Sequence, residues 1–166
     1  EVLINTHYLA PMVQKYLNQS SWLPYVKLVH EEILLGTGGT ILRNRDFFKG
    51  ETFLVGHADN LTIFDLSDFI SCHYSRPEGT EITAMVFQTR DPHSCGIVEL
   101  DSKGVVEAFH EKVLDPPGNI ANGAVYLIES SVLNWMRGLG KTQLDFSTEV
   151  IPHYLSKLFT YQNRLY

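Results

Sequence analysis

The sequence has 166 residues, of which 44% are hydrophobic and 19% charged; that is enough for one ordinary domain with a sizeable core and argues against disorder. The formal net charge of −6 gives no basic footprint for nucleic acid, yet leaves room for nucleotide or phosphate ligands held by local groups. No apolar run approaches the roughly 20 residues of a membrane span, no signal peptide is visible, and Cys72 and Cys95 are too few and too far apart for a zinc motif, so reduced thiols and a cytoplasmic location are expected.

The chain opens at Glu1, without methionine, straight into the apolar strand VLIN (2–5), and closes on the strand-like run TYQNRLY (160–166). Elements open at both ends lead us to expect a piece of a longer protein. YLAPMVQKYLNQ (8–19) spaces Leu9, Met12, Val13, Tyr16 and Leu17 at helical intervals. YVKLVH (25–30) reads as a second strand, LLGTGGTILRNRDFF (34–48) passes from a Gly-rich loop into a helix, and TFLVG is a third strand. LSDFISCHY follows as a helix capped by Asp65. Strands alternating with helices predict βαβ units and a mostly parallel sheet, and continuous apolar strands predict burial on both faces.

The pattern then changes. EITAMVFQT (81–89) is a long strand, and GIVELDSKGVVEAFHEK (96–112) is a hairpin turning at Asp101-Ser102-Lys103-Gly104. IANGAVYLIE (120–129) is another strand, followed by the helix SSVLNWMRGL capped by Ser130 or Ser131. DFSTEVIPHYLSKL closes with a helical pattern that Pro152 bends or breaks. There are no repeats and no domain boundary.

In an open α/β sheet, ligands sit beyond the carboxyl ends of strands, and Asp59 stands at such an end. Beside a nucleotide its carboxylate would hold Mg²⁺ while substrate phosphates supply the remaining ligands; alternatively it caps the following turn. LGTGGT (35–40) would let backbone N–H groups approach a ligand, since glycine has no Cβ, or is a plain strand-to-helix turn. It matches neither the dinucleotide fingerprint nor the P-loop. In FHEKV (109–113), Glu111 and Lys112 stand at the end of a hairpin strand; one could take a sugar hydroxyl and the other a phosphate if the backbone turns there, or the two form an exposed pair on a strand. The Asn122-Gly123 step marks a bulge or close backbone approach, or else a hairpin turn. The seven histidines show no metal-ligand spacing. Asn60-Leu61-Thr62 matches a glycosylation sequon, which carries no weight without evidence of secretion.

In their order, EVLINTHYLAPMVQKYL, LLGTGGTI, FLVGHADNL, GIVELDSKGVVEAFHEKV, NGAVYLIE and DFSTEVIPHYL resemble the sugar-1-phosphate nucleotidylyltransferases, over nearly all 166 residues. That family includes mannose-1-phosphate guanylyltransferases, glucose-1-phosphate thymidylyltransferases and heptose-phosphate relatives. The resemblance implies a three-layer α/β sandwich around a mixed, mostly parallel Rossmann-like sheet. It implies nucleotidyl transfer from an NTP to a sugar-1-phosphate with Mg²⁺, releasing pyrophosphate, with a mild preference for GTP and a mannose- or heptose-like sugar. Asp59 would hold the metal, Glu31, Gly36, Thr37 and Gly38 would meet the base, Gly96, Glu111 and Asn122 the sugar, and Lys112 the sugar phosphate. Neither nucleic acid nor membrane is an implied partner, and the oligomeric state is not implied.

Departures from the family pattern accompany it. The Gly-rich N-terminal signature with its arginine and lysine would precede Glu1, and a second metal-binding aspartate would follow Tyr166. Val113 stands where a proline is usual after Glu-Lys, and His57-Ala58-Asp59 replaces Asn-Gly-Asp. The 166 residues by themselves are therefore expected to be catalytically incomplete. A non-catalytic nucleotide-sugar-binding relative is the alternative, and a GT-A glycosyltransferase a more distant one, since Asp59 is not part of an Asp-x-Asp.

Overall fold

The computed structural model describes residues 1–165; Tyr166, the last residue of the strand-like run expected at 160–166, lies outside the described residues. Strand β1 (Val2–Thr6) pairs in parallel with β2 (Val26–His30), from Val2 opposite Val26 to Thr6 opposite His30. Helix α1 (Ala10–Asn18) makes the crossover, with Pro11 in its first turn, where a missing N–H costs no helical bond. Helix α2 (Gly36–Arg43) follows β2 and leads into β3 (Phe53–Gly56).

The larger sheet has the order β6-β5-β7-β4-β8, with β3 also on β7. Its members are β4 (Ile82–Gln88), β5 (Gly96–Leu100), β6 (Val106–Glu111), β7 (Ile120–Ile128) and β8 (Leu158–Gln162). The sheet is mixed. β8 runs parallel to β4, whereas β7 runs against β3, β4 and β5, and β5 against β6. The parallel pairings are those joined by crossovers. The antiparallel pair β5–β6 is the hairpin, whose short turn allows no other direction, and β7 then enters against β3, β4 and β5. In that turn the Asp101 carboxylate accepts from the N–H groups of Lys103 and Val105, each at 2.8 Å, and Gly104 adopts φ +80°.

Both faces of this sheet are covered. Ile82, Ala84 and Val86 of β4, with Tyr126 and Ile128 of β7, join Val132, Met136, Phe146, Val150 and Ile151 in one cluster. Residues of opposite parity, Met85, Val125 and Leu127, pack on the other face against Phe69. Helix α3 (Leu66–Tyr74) supplies Phe69, and helix α4 (Ser130–Gly138) supplies Val132 and Met136, so the sheet is the middle of three layers.

Asp65 caps α3 as expected, accepting from Ser67 and Asp68 N–H at 2.8 and 3.0 Å. The cap of α4 differs. Its cap position is Glu129, which makes no side-chain cap bond, and the Ser131 hydroxyl donates to Glu81 instead. Glu129 is drawn away by long-range partners: Arg76 at 2.6 Å, Thr52 at 3.1 Å and the buried ring of His73 at 3.1 Å. The closing helical pattern is a π turn (Phe146–Val150) running into one α turn, α5 (Ile151–His153), with Pro152 near its start; the chain then becomes extended at β8. Among the described residues no helix is long and apolar enough to cross a membrane, and both cysteines are free.

Candidate functional site

One edge of β7 is shared by two strands. β3 pairs with its later half, Gly56 opposite Val125 and Phe53 opposite Ile128, while β5 meets its earlier half at Ile97 opposite Ala121. The residues between, Asn122-Gly123-Ala124, form a bulge, with a register shift against β4 between Ala84 and Val86 and Ala124 at φ +54°. This settles the Asn-Gly step as a bulge inside a strand. At Gly123 a Cβ would stand 3.1 Å from the Met85 carbonyl oxygen, a tight contact that the backbone of β4 would have to relieve by a small shift.

The bulge directs the chain leaving β3. His57 N–H donates to the Ala124 carbonyl at 3.2 Å, and Asn60 N–H to the His57 carbonyl at 3.3 Å, so the strand ends in a tight turn that carries Asp59. Asp59 is exposed and makes no hydrogen bond or ion pair with the described residues, and the helix cap after it is Asp65. Of the two readings of Asp59, a cap is not what the structure shows.

The hairpin arrives at the same level of β7. Gly96 lies opposite Glu111, next to the pair that joins β5 to Ala121. A Cβ on Gly96 would stand 2.8 Å from Glu111 Oε2 and 2.7 Å from Phe109 Cζ, so glycine is what lets the Glu111 carboxylate lie there. Lys112 has φ +49° and donates its N–H to the Cys95 carbonyl at 3.3 Å. A lysine held in the left-handed region is strained, and strain of this kind gathers at functional sites. The backbone turn also frees Glu111 and Lys112 from opposite-facing strand geometry; both are exposed.

Tyr126, fully buried, stands beneath this group. Its phenolic oxygen accepts from Asn122 Nδ2 at 2.6 Å. Burial pushes the phenol far above its ordinary range, and the negative charges of Glu111 and Asp145 add to this, against hydrogen bonds from Asn122 and Ser147. The sequence reading did not select Tyr126; its signal was parity, four residues beyond Asn122 on the same strand and therefore on the same face.

The Gly-rich segment packs closely on a distant stretch of the chain itself. Gly36, at φ +76°, could carry no Cβ without meeting the Leu144 carbonyl oxygen at 2.6 Å, and a Cβ on Gly38 would lie 3.0 Å from the Leu144 side chain. Gly39 N–H donates to Leu144 O, Leu144 N–H to Leu35 O, and Phe146 N–H to Thr37 Oγ1. The close approach these glycines allow is therefore to residues 142–146 of the chain itself. Gly36 remains at the surface, Thr37 is half-buried and Gly38 is buried. Glu31 is 1% exposed, and its carboxylate turns inward, accepting from Thr40 Oγ1 at 2.7 Å and Leu35 N–H at 3.4 Å. It braces the loop rather than projecting from it.

The expected residues thus form two groups. Asp59, Gly96, Glu111, Lys112 and Asn122 converge on the bulged edge of β7. Glu31 follows the end of β2 and Gly36, Thr37 and Gly38 open α2, joined to the first group through Phe146, whose N–H donates to Thr37 Oγ1 and whose ring centroid is 4.9 Å from that of Tyr126. Among the described residues no three His, Cys, Asp or Glu side chains are grouped to hold a metal. Asp59 is nevertheless the right kind of ligand for a cation that takes one or two carboxylates and completes its shell with water and phosphate oxygens: exposed, and without a partner among the described residues.

The family model described as "Nucleotidyl transferase" matches residues 1–164. Mannose-1-phosphate guanylyltransferase of Mycobacterium tuberculosis is 28% identical over 170 residues, covering 99% of this chain and 46% of that protein. Valienol-1-phosphate guanylyltransferase of Streptomyces hygroscopicus subsp. limoneus is 31% identical over 128 residues, covering 75% of this chain and 34% of that protein. The chain thus spans half or less of the length of these relatives. The solved structure of HddC from Yersinia pseudotuberculosis complexed with GMP-PN superposes with a TM-score of 0.81 at 17% identity, over 99% of this chain and 70% of that one. This likeness bears out the α/β fold with a central sheet flanked by helices.

Proposed function

This chain belongs to the nucleotidyl transferase family, and from that premise we propose that it forms most of a domain transferring a nucleotidyl group from an NTP to a sugar-1-phosphate. The observation that carries the reading is the convergence of Asp59, Gly96, Glu111, Lys112 and Asn122 on one bulged strand edge.

In this reading the sugar phosphate oxygen attacks the α-phosphorus in line and pyrophosphate leaves, so that positioning and charge neutralisation do the catalysis. Lys112 neutralises the incoming phosphate. Glu111, over Gly96, and Asn122 orient the sugar through its hydroxyls. Gly36 and Thr37 offer backbone and hydroxyl groups to the base, and Gly38 and Glu31 shape the loop that presents them. Asp59 would hold Mg²⁺, which when bound would lower the charge on the α-phosphate. GTP with a mannose- or heptose-like sugar is our preferred pair, supported by the guanylyltransferase names of both relatives. The two free cysteines support a cytoplasmic setting.

The test is pyrophosphate release by the complete gene product with Mg²⁺, offering GTP, dTTP, UTP, CTP and ATP against mannose-, glucose- and heptose-1-phosphate. Turnover of one pair is the expected result. Silence across the panel from folded protein would overturn the reading in favour of a nucleotide-sugar-binding relative.

A further inference from the structure

We propose that Tyr126 is a positioning residue for the sugar-1-phosphate, acting through the side-chain amide of Asn122. The inference rests on the proposed function above. Its ground is that both ends of this amide are held by the protein. Asn122 Oδ1 accepts from Ala124 N–H at 3.2 Å, and Nδ2 donates to the Tyr126 phenolic oxygen at 2.6 Å. Because Ala124 N–H can only donate, it fixes which end of the amide is the oxygen. Nδ2 carries two hydrogens; with one on Tyr126, the other remains for a substrate oxygen.

The phenol is in a place to matter. Tyr126 has 0% exposure, its ring packs on Phe146, and its polar end lies within the electrostatic reach of Glu111, the other side chain proposed to meet the sugar hydroxyls. The same bulge that Asn122 stabilises presents the Ala124 carbonyl to His57 N–H, which anchors the Asp59 turn. Removing only the hydroxyl keeps the ring and its contacts with Phe146 but releases the amide. The nucleotide side, joined to Phe146 through Thr37, should feel little.

The experiment compares Tyr126→Phe, Asn122→Ala and the double variant in the complete gene product, with the substrate pair that the wild type turns over. Tyr126→Phe should raise the KM for the sugar-1-phosphate about tenfold and leave the KM for the NTP within about twofold. The double variant should be no worse than Asn122→Ala, since the phenol then has no amide to hold. An unchanged sugar KM, an equal rise in both KM values, or effects that multiply in the double variant would each overturn the proposal. A readout in the wild type needs no folded variant: one Asn122 Nδ2 proton should be protected from hydrogen exchange, and free exchange of both would count against the bond. If the wild type turns over no pair, the functional reading fails and the positioning role goes with it. An active wild type with an indifferent Tyr126→Phe removes the positioning role alone.

Discussion

The carboxylate of Glu111 occupies the space that a side chain on Gly96 would take: a Cβ there would stand 2.8 Å from Glu111 Oε2. Gly96→Ala should therefore push Glu111 aside and raise the KM for the sugar-1-phosphate by about tenfold or more. Both clashing atoms, Glu111 Oε2 and Phe109 Cζ, are side-chain ends and can give way, so the stability loss should stay near 1 kcal/mol, the low end for overpacking. Steady-state kinetics alongside denaturant unfolding check this; an unaltered sugar KM would remove Glu111 from the sugar site.

Asp59 has no partner among the described residues, so its removal should leave the fold unaffected. On the proposed role of Asp59 as a Mg²⁺ ligand, Asp59→Asn is expected to lower kcat by about a hundredfold or more, while Tm moves by less than about 1 °C. Raising Mg²⁺ should recover part of the rate. A variant within a few-fold of wild type would exclude Asp59 from the reaction.

Lys112 separates activity from stability. Its φ of +49° is unfavourable for lysine and free for glycine. Lys112→Gly should change stability by less than about 1 kcal/mol or improve it, because relief of strain offsets the greater freedom of the unfolded glycine. The same variant should lose most activity, and Lys112→Ala should lose it without the relief of strain. Equal loss of stability in both would show that the left-handed geometry stores nothing.

Glu31 should behave as a structural residue despite its place beside the Gly-rich loop. Glu31→Ala leaves Thr40 Oγ1 and Leu35 N–H without their acceptor and should cost about 1–3 kcal/mol. Glu31→Gln keeps one acceptor and should cost less. Chemical denaturation distinguishes the two, and a stable Glu31→Ala with a raised NTP KM would return Glu31 to a direct role at the base.

His73 sets a pH dependence of stability. Burial, then the Arg76 charge, lower its pKa below the ordinary 6.5, outweighing the hydrogen bond and charge of Glu129. The unfolded chain therefore takes up the proton first, so stability is full above about pH 6.5 and falls as pH drops below it. Glu129 adds a second loss at lower pH. Desolvation raises its pKa, but Thr52, His73 and Arg76 together hold it below the ordinary 4.5, and that stabilisation fades as acid protonates it. His73→Gln should flatten unfolding free energy against pH between about 5 and 7 while leaving the slope below pH 4.5. A slope that persists in the variant would assign it to another group.

Local chemistry made much of this protein legible in advance. Asp65 before a helical run, Asp101 to Gly104 between alternating strands, and Asn122-Gly123 inside an apolar strand each satisfy backbone groups within a few residues, so the sequence itself determined the cap, the hairpin turn and a choice of two geometries for the Asn-Gly step. It also determined the order of elements and placed Asp59 just past the end of a strand.

Only the tertiary structure decided what those elements meet. That β3 and β5 share one edge of β7, and so bring the turn after β3 and the end of the hairpin to the same bulged strand, is a matter of register between strands far apart in the chain. Glu31 turned inward to Thr40 and Leu35, the glycines of α2 turned to Leu144, and Glu129 left its helix cap for His73 and Arg76. For the glycines and Glu129 the partner is distant in the chain, and for Glu31 it is the following loop and helix folded back over the carboxylate; in each case packing offered a buried polar group or a crowded backbone more than its immediate neighbours could. That competition is settled by the whole fold, and a short stretch of sequence carries no record of it.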